Sequence, residues 1–175
     1  LDNFRCWYSR ILDILYEDEH AGFVILMIAF PLLERYLREK SGAHEGNLTN
    51  EFYNELRHIY PALTDRSIAR NFWQVYRNGI LHQVTLSQAN NKRLHMPEGW
   101  LSSDVEMISI GSLGEFWVHP TKFARRVVET IESDFATFEG QSSDNHPLPV
   151  VRVQTACGTS GTSGRSGTSG PGHEK

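Results

Sequence analysis

Apolar positions at the start of the chain recur every three or four residues. Phe4, Trp7, Tyr8, Ile11, Leu12, Ile14 and Leu15 follow the helical period, which predicts an amphipathic helix over residues 3–17, with Asp2 or Asn3 as its N-cap. A second, longer helix is predicted over 19–40. Glu19 near its start and Arg35, Arg38 and Lys40 near its end suit the helix dipole. Its middle, Phe23 to Phe30, is apolar on almost every face, as in a helix that is central to a bundle or lies in a protein interface. Pro31 should kink or break it, and Ser41-Gly42 should end it.

After a loop at 43–48, Thr49 or Asn50 caps a third helix over about 50–60, closed by Pro61. Thr64 begins a fourth, with Asp65 in its first turn, which runs to about Gln83. Its apolar line reads Ile68, Phe72, Val75 and Gly79, with Arg66, Arg70, Trp73 and Arg77 opposite. Residues 84–104 carry turn and loop signals, among them Asn90-Asn91, Pro97-Glu98-Gly99 and Ser102-Ser103. The β-rich stretches 105–110 and 115–118 flank Gly111-Ser112-Leu113-Gly114 and predict a hairpin. Pro120, with Thr121 near the cap, opens a last helix to about Phe138, with Val127, Val128, Ile131, Phe135 and Phe138 as its apolar stripe. The fold class that follows is mainly α: a four- to five-helix bundle with a β-hairpin inserted before the last helix.

Composition places the boundary of the folded part. Six of the 14 glycines fall between Gly158 and the end of the 175-residue chain, where the sequence reads GTSGTSGRSGTSGPG. That composition cannot bury a core. One helical domain over 1–140 and a disordered, Gly/Ser/Thr-rich tail over 141–175 are expected, with Val150, Val151 and Val153 as a stray strand at most.

The formal net charge of −4 and the pI of about 6.1 disfavour a bulk-basic nucleic-acid binder and leave room for a local basic patch. Cys6 and Cys157 are the only cysteines, too few for a disulfide framework or a thiolate zinc site. Cys6 reads as a buried thiol, and a reduced cytoplasmic compartment fits this usage. The longest apolar run, Ala21 to Leu33, is about 13 residues, short of the roughly 18 or more needed to span a bilayer. No signal peptide is visible at the N-terminus, although a chain that opens on Leu1 gives that absence little weight. Glu17 and His20 have the i, i+3 spacing used in carboxylate bundles, but no second Glu-x-x-His occurs, so no metal and no cofactor is expected. With Asp13, Asp18 and Glu19 they read as a solvated junction between the first two helices.

The stretch that carries chemistry is Arg77-Asn78-Gly79-Ile80-Leu81-His82. Histidine titrates near neutrality and can take a proton from a ribose 2′-hydroxyl or give one to a leaving 5′-oxygen. Arginine presents a permanently charged fork to a phosphate and its developing charge. Asparagine can hydrogen-bond and orient either partner. A proton-transfer group and an anion stabiliser suffice for metal-free RNA cleavage by internal attack of the 2′-hydroxyl, which DNA lacks. On an ideal α-helix positions five apart differ by about 140°. Arg77 and His82 therefore share a face only if the arginine wraps, if the turn around Gly79 is distorted, or if a partner protomer completes the site.

The segment VYRNGILHQ resembles the R-x(4–6)-H motif of the HEPN superfamily, commonly with a polar residue directly after the arginine. The setting, a late helix of a helical bundle, is similar too, and the likeness covers residues 1–83. The resemblance implies a metal-independent endoribonuclease of a toxin–antitoxin or other defence system. Arg77 and His82 would be catalytic, supported by Asn78, in a homodimer whose motifs face each other. RNA is then the substrate, with an antitoxin-type protein as a further partner. Arg66, Arg70 and Trp73 are the candidate RNA-binding residues, since an arginine stripe with one aromatic can hold a backbone and stack a base. With Arg77 these residues also read as a solvated arginine face with Trp73 packed under a neighbouring segment, and His82 as a last-turn histidine that suits the dipole. The alternative function is a catalytically inactive HEPN-like module that binds RNA or a protein partner. Without a nucleic-acid role, the chain would be a helical interaction module.

Overall fold

A computed structural model describes residues 1–43, 48–83 and 98–140, and of positions 78 and 81–83 it describes the backbone alone. The expected tail over 141–175, most of the 43–48 loop and the Asn90-Asn91 turn lie outside the described residues. The protein is mainly helical with a small three-stranded sheet.

The first helix, α1, covers 2–15: α-helical at Asp2–Phe4 and Arg10–Leu15, π-helical at Arg5–Ser9 between them. Only part of its apolar set reaches the core. Phe4 and Leu12 are buried and Tyr8 and Leu15 partly so, whereas Trp7, Ile11 and Ile14 are exposed. Cys6 is half-buried and is not a free thiol, which corrects the expectation of a buried one.

Helix α2 (Gly22–Ser41) begins three residues later than Glu19 and ends as expected: Gly42 takes the left-handed conformation at φ 68°, where a side chain would be strained. It runs through Pro31 without a break. Proline leaves the carbonyl four residues back without its partner. Here that residue is Met27, and both Pro31 and Met27 are exposed, so water can serve the carbonyl. The other faces of α2 bury Ile25, Leu26, Ala29, Phe30, Leu33 and Leu37. Phe30 stacks on Phe123 with ring centres 4.9 Å apart and on Tyr76 at 5.9 Å, with Phe72 and Trp73 beside it.

Helix α3 (Asn50–Ile59) is capped by Thr49, whose hydroxyl accepts from the Phe52 amide. Helix α4 covers 66–83, α-helical at Arg66–Trp73 and π-helical at Gln74–Gln83. Asp65 is its cap and not a first-turn residue, accepting from the Ile68 amide at 2.9 Å. The buried residues of α4 include Ala69, Phe72, Trp73, Val75, Tyr76, Gly79 and Ile80. Of the expected line, Phe72, Val75 and Gly79 are buried and Ile68 is partly so, and the buried face extends beyond it to Ala69, Trp73, Tyr76 and Ile80.

Residues 98–104 were expected to be loop, yet β1 (Gly99–Leu101) pairs in parallel with β3 (Phe116–Val118). β2 (Ile108–Ile110) pairs antiparallel with β3, giving the order β1-β3-β2. Phe116, Val118 and Ile108 face the helices, while Trp100, Trp117 and Ser109 lie on the other face. Gly99 permits the contact with α4: a Cβ there would lie 2.6 Å from Val75 Cγ1. The Tyr76 hydroxyl then ties the sheet to the helix, lying 2.8 Å from the Trp100 carbonyl and 2.9 Å from that of Phe116, and accepting from the Trp100 amide at 3.1 Å.

Helix α5 (Pro120–Ser133) starts at an N-cap histidine, His119, whose Nδ1 accepts from the Lys122 amide. Its stripe buries Phe123, Val127 and Ile131. The last helix does not run unbroken to Phe138. It stops at Asp134, held by Lys40 at 2.7 Å and by the Tyr36 hydroxyl, and α6 (Phe135–Glu139) follows.

Candidate functional site

The motif segment lies in the π-helical half of α4. A π-helix bonds each amide to the carbonyl five residues back, so the five-residue step from position 77 to position 82 closes roughly one turn. The two Cα positions then stand on successive turns of one side. The α-helical separation of about 140° does not apply. Of the three routes that could bring Arg77 and His82 to one face, the distorted turn around Gly79 is the one present in the backbone.

Arg77 points to α2. Its Nε donates to Glu34 Oε2 at 3.0 Å, and its Nη2 lies 3.4 Å from Oε1. Arg38, one turn along α2, donates to the same carboxylate from Nε at 3.0 Å and from Nη2 at 2.8 Å. A third donor of Arg38 reaches the Ala43 carbonyl at 3.1 Å and holds the guanidinium in place. Exposure decides how strong this group is. The Glu34 side chain is 13% exposed, against 27% for Arg77 and 26% for Arg38, so the carboxylate is the most shielded member. Burial alone would raise its pKa. Hydrogen bonds from Arg77 and Arg38, with their charges, outweigh that and hold the carboxyl below its ordinary value.

Two guanidinium groups share one carboxylate. A guanidinium held in a fixed orientation matches the geometry of a phosphate. The adjoining cleft of about 310 Å³ is lined by Pro31, Glu34, Arg35, Arg38 and Glu39.

The other expected RNA-binding residues do not gather at this point. Arg66 is exposed at the start of α4. Arg70 is exposed and places its guanidinium 5.4 Å from the Tyr53 ring centre on α3. Trp73 is 2% exposed, packed edge-on to Phe52 at 4.9 Å and against Phe30 at 5.6 Å. Its ring belongs to the core in this fold and offers no face to a base, so Arg66, Arg70, Trp73 and Arg77 form no single stripe.

Glu34 and Arg38 are the members of the cluster that the chain's linear pattern did not single out. Their i, i+4 spacing is a recognisable helical ion pair. What it does not announce is that a third charge, 43 residues further on, reaches the same carboxylate. Around Asp18, Glu19 and His20 no such cluster forms: all three are exposed, and among the described residues no group of histidines, cysteines and carboxylates could hold a metal. Among the same residues no helix is long and apolar enough to cross a membrane. No family model, no curated protein and no solved structure matches the chain.

Proposed function

We propose that the protein is a metal-independent endoribonuclease of HEPN type, its helices forming a four- to five-helix bundle with a hairpin inserted before the last. The observation that carries this reading is the π-helical turn that sets positions 77 and 82 on one side, with Arg77 fixed by Glu34. In the reaction His82 removes the proton of the ribose 2′-hydroxyl or protonates the leaving 5′-oxygen. Arg77 stabilises the charge that builds on the phosphate oxygens, and Asn78 orients one of the two. Glu34 and Arg38 are positioning residues: they fix the guanidinium, so little side-chain freedom is lost when the phosphate arrives.

The active form is a homodimer. On α2, Val24, Met27 and Pro31 are exposed at spacings of three and four, and Glu34 follows three residues on, so an apolar stripe leads straight to the arginine cluster. A second copy on that stripe would bring two clusters together. Action as a toxin or defence effector in the cytoplasm, restrained by an antitoxin-type protein, follows from the same reading.

The test is cleavage of RNA by the purified protein in the presence of EDTA, beside Arg77→Ala and His82→Ala. The expected result is cleavage by the parent protein that leaves 2′,3′-cyclic phosphate ends and is lost in both folded variants. A folded dimer that leaves RNA intact would instead favour the inactive binding module.

A further inference from the structure

Far from the arginine cluster in character, the outer face of the sheet carries two tryptophans and, among the described residues of its strands, no basic group. Trp100 and Trp117 are direct partners in the parallel register of β1 and β3, their rings stacked 5.7 Å apart at 22°. Trp100 remains 46% exposed and Trp117 is half-buried. Side chains alternate along a strand, and the ladder extends one step back, because the Phe116 amide donates to the Glu98 carbonyl at 2.8 Å. Glu98 and Glu115 therefore share the outward face with the tryptophans that follow them two residues later. The Glu115 carboxylate turns to the hairpin loop, accepting from the Leu113 amide at 3.0 Å, while Glu98 is exposed.

Charge decides what this face can bind. Residues 98–118 contain four carboxylates and not one lysine or arginine, so this stretch alone holds a charge equal to the −4 of the whole chain. A phosphate backbone would meet repulsion here, whereas a cation would meet both a carboxylate and the electron-rich face of an indole. Exposed tryptophan pairs of this kind serve as anchors of protein interfaces.

We propose that the Trp100–Trp117 face, with Glu98 beside it, docks an arginine-bearing segment of a partner polypeptide, whose guanidinium stacks on the Trp100 indole and pairs with Glu98. This surface stands apart from the nuclease reading and survives if that reading fails. The probe is a labelled short peptide of alternating arginine and glycine, titrated by fluorescence anisotropy at low salt, with a labelled oligouridylate in parallel. Saturable binding to the parent protein is expected, weakened about tenfold by Trp100→Ala and severalfold by Glu98→Gln, and unchanged by Arg77→Ala. Glu98→Lys, at an exposed position outside the strand, should abolish binding and keeps the test decisive if Trp100→Ala does not fold. Absence of peptide binding, equal binding by the Glu98 variants, or tighter binding of the oligouridylate through Trp100 would each overturn the proposal.

Discussion

The two halves of helix α4 differ in what holds them and in what they can do. Arg66–Trp73 is a regular α-helix with an aspartate cap, and its inner side chains Phe72 and Trp73 pack into the aromatic core around Phe30. Gln74–Gln83 is π-helical and carries Arg77 to a carboxylate on α2. π-Helical turns are rare and occur often at functional sites. Both halves pack into the core, the second through Val75, Tyr76 and Ile80, but only the second has the π-helical backbone that brings a five-residue spacing towards one face. The tie between them is Tyr76, which is buried against Phe30 and also bonded to the sheet.

Substitutions can separate the two roles, and the largest effect should come from the packing side. Phe30→Ala removes the ring on which Phe123 and Tyr76 stack and should cost about 3–5 kcal/mol in denaturant unfolding. A loss below about 1 kcal/mol would mean that the core lies elsewhere. On the other side, Arg77→Ala should lower RNA cleavage by about a hundredfold or more while changing stability by no more than about 1–2 kcal/mol. Equal losses of fold and activity would erase the distinction between the halves.

Asp65→Ala unties only the cap of the first half and should cost about 1 kcal/mol, read as a lower midpoint in urea with cleavage per folded molecule unchanged.

The smallest effect is a pH dependence. The Glu34 carboxyl titrates below its ordinary value, so its contribution to stability is full above the unfolded-state pKa and is lost as pH falls through the folded one. Acid unfolding curves of Glu34→Gln should therefore fall less steeply below about pH 4.5 than those of the parent. Parallel curves would show that the carboxylate is not held by the two arginines.

Local signals were legible in the chain. Thr49, Gly42 and the Pro120 start of α5 act through bonds within three or four residues, which sequence spacing records directly, although the cap of α5 is His119 and not Thr121. Asp65 was legible as a first-turn residue and proved to be the cap, an error of one position. What depends on distant partners was not legible. β1 is three residues long and exists because β3, across the sheet, completes its ladder. Trp73 was legible only as two readings, a face for a base or a ring packed under a neighbouring segment, and its burial against Phe30 and Phe52, both distant in sequence, agrees with the second. The candidate site was half legible: Arg77 and His82 stand out by residue type and spacing, while Glu34 becomes part of the site only when α2 and α4 are side by side.

The most direct test of the central claim is whether Arg77 and His82 act as one unit. A kinetic cycle on RNA cleavage in EDTA would compare Arg77→Ala, His82→Ala and the double variant. Residues that work on the same transition state are strongly non-additive, so each single change should cost nearly as much as both together. Independent, additive losses, or cleavage that persists in the double variant, would contradict the account.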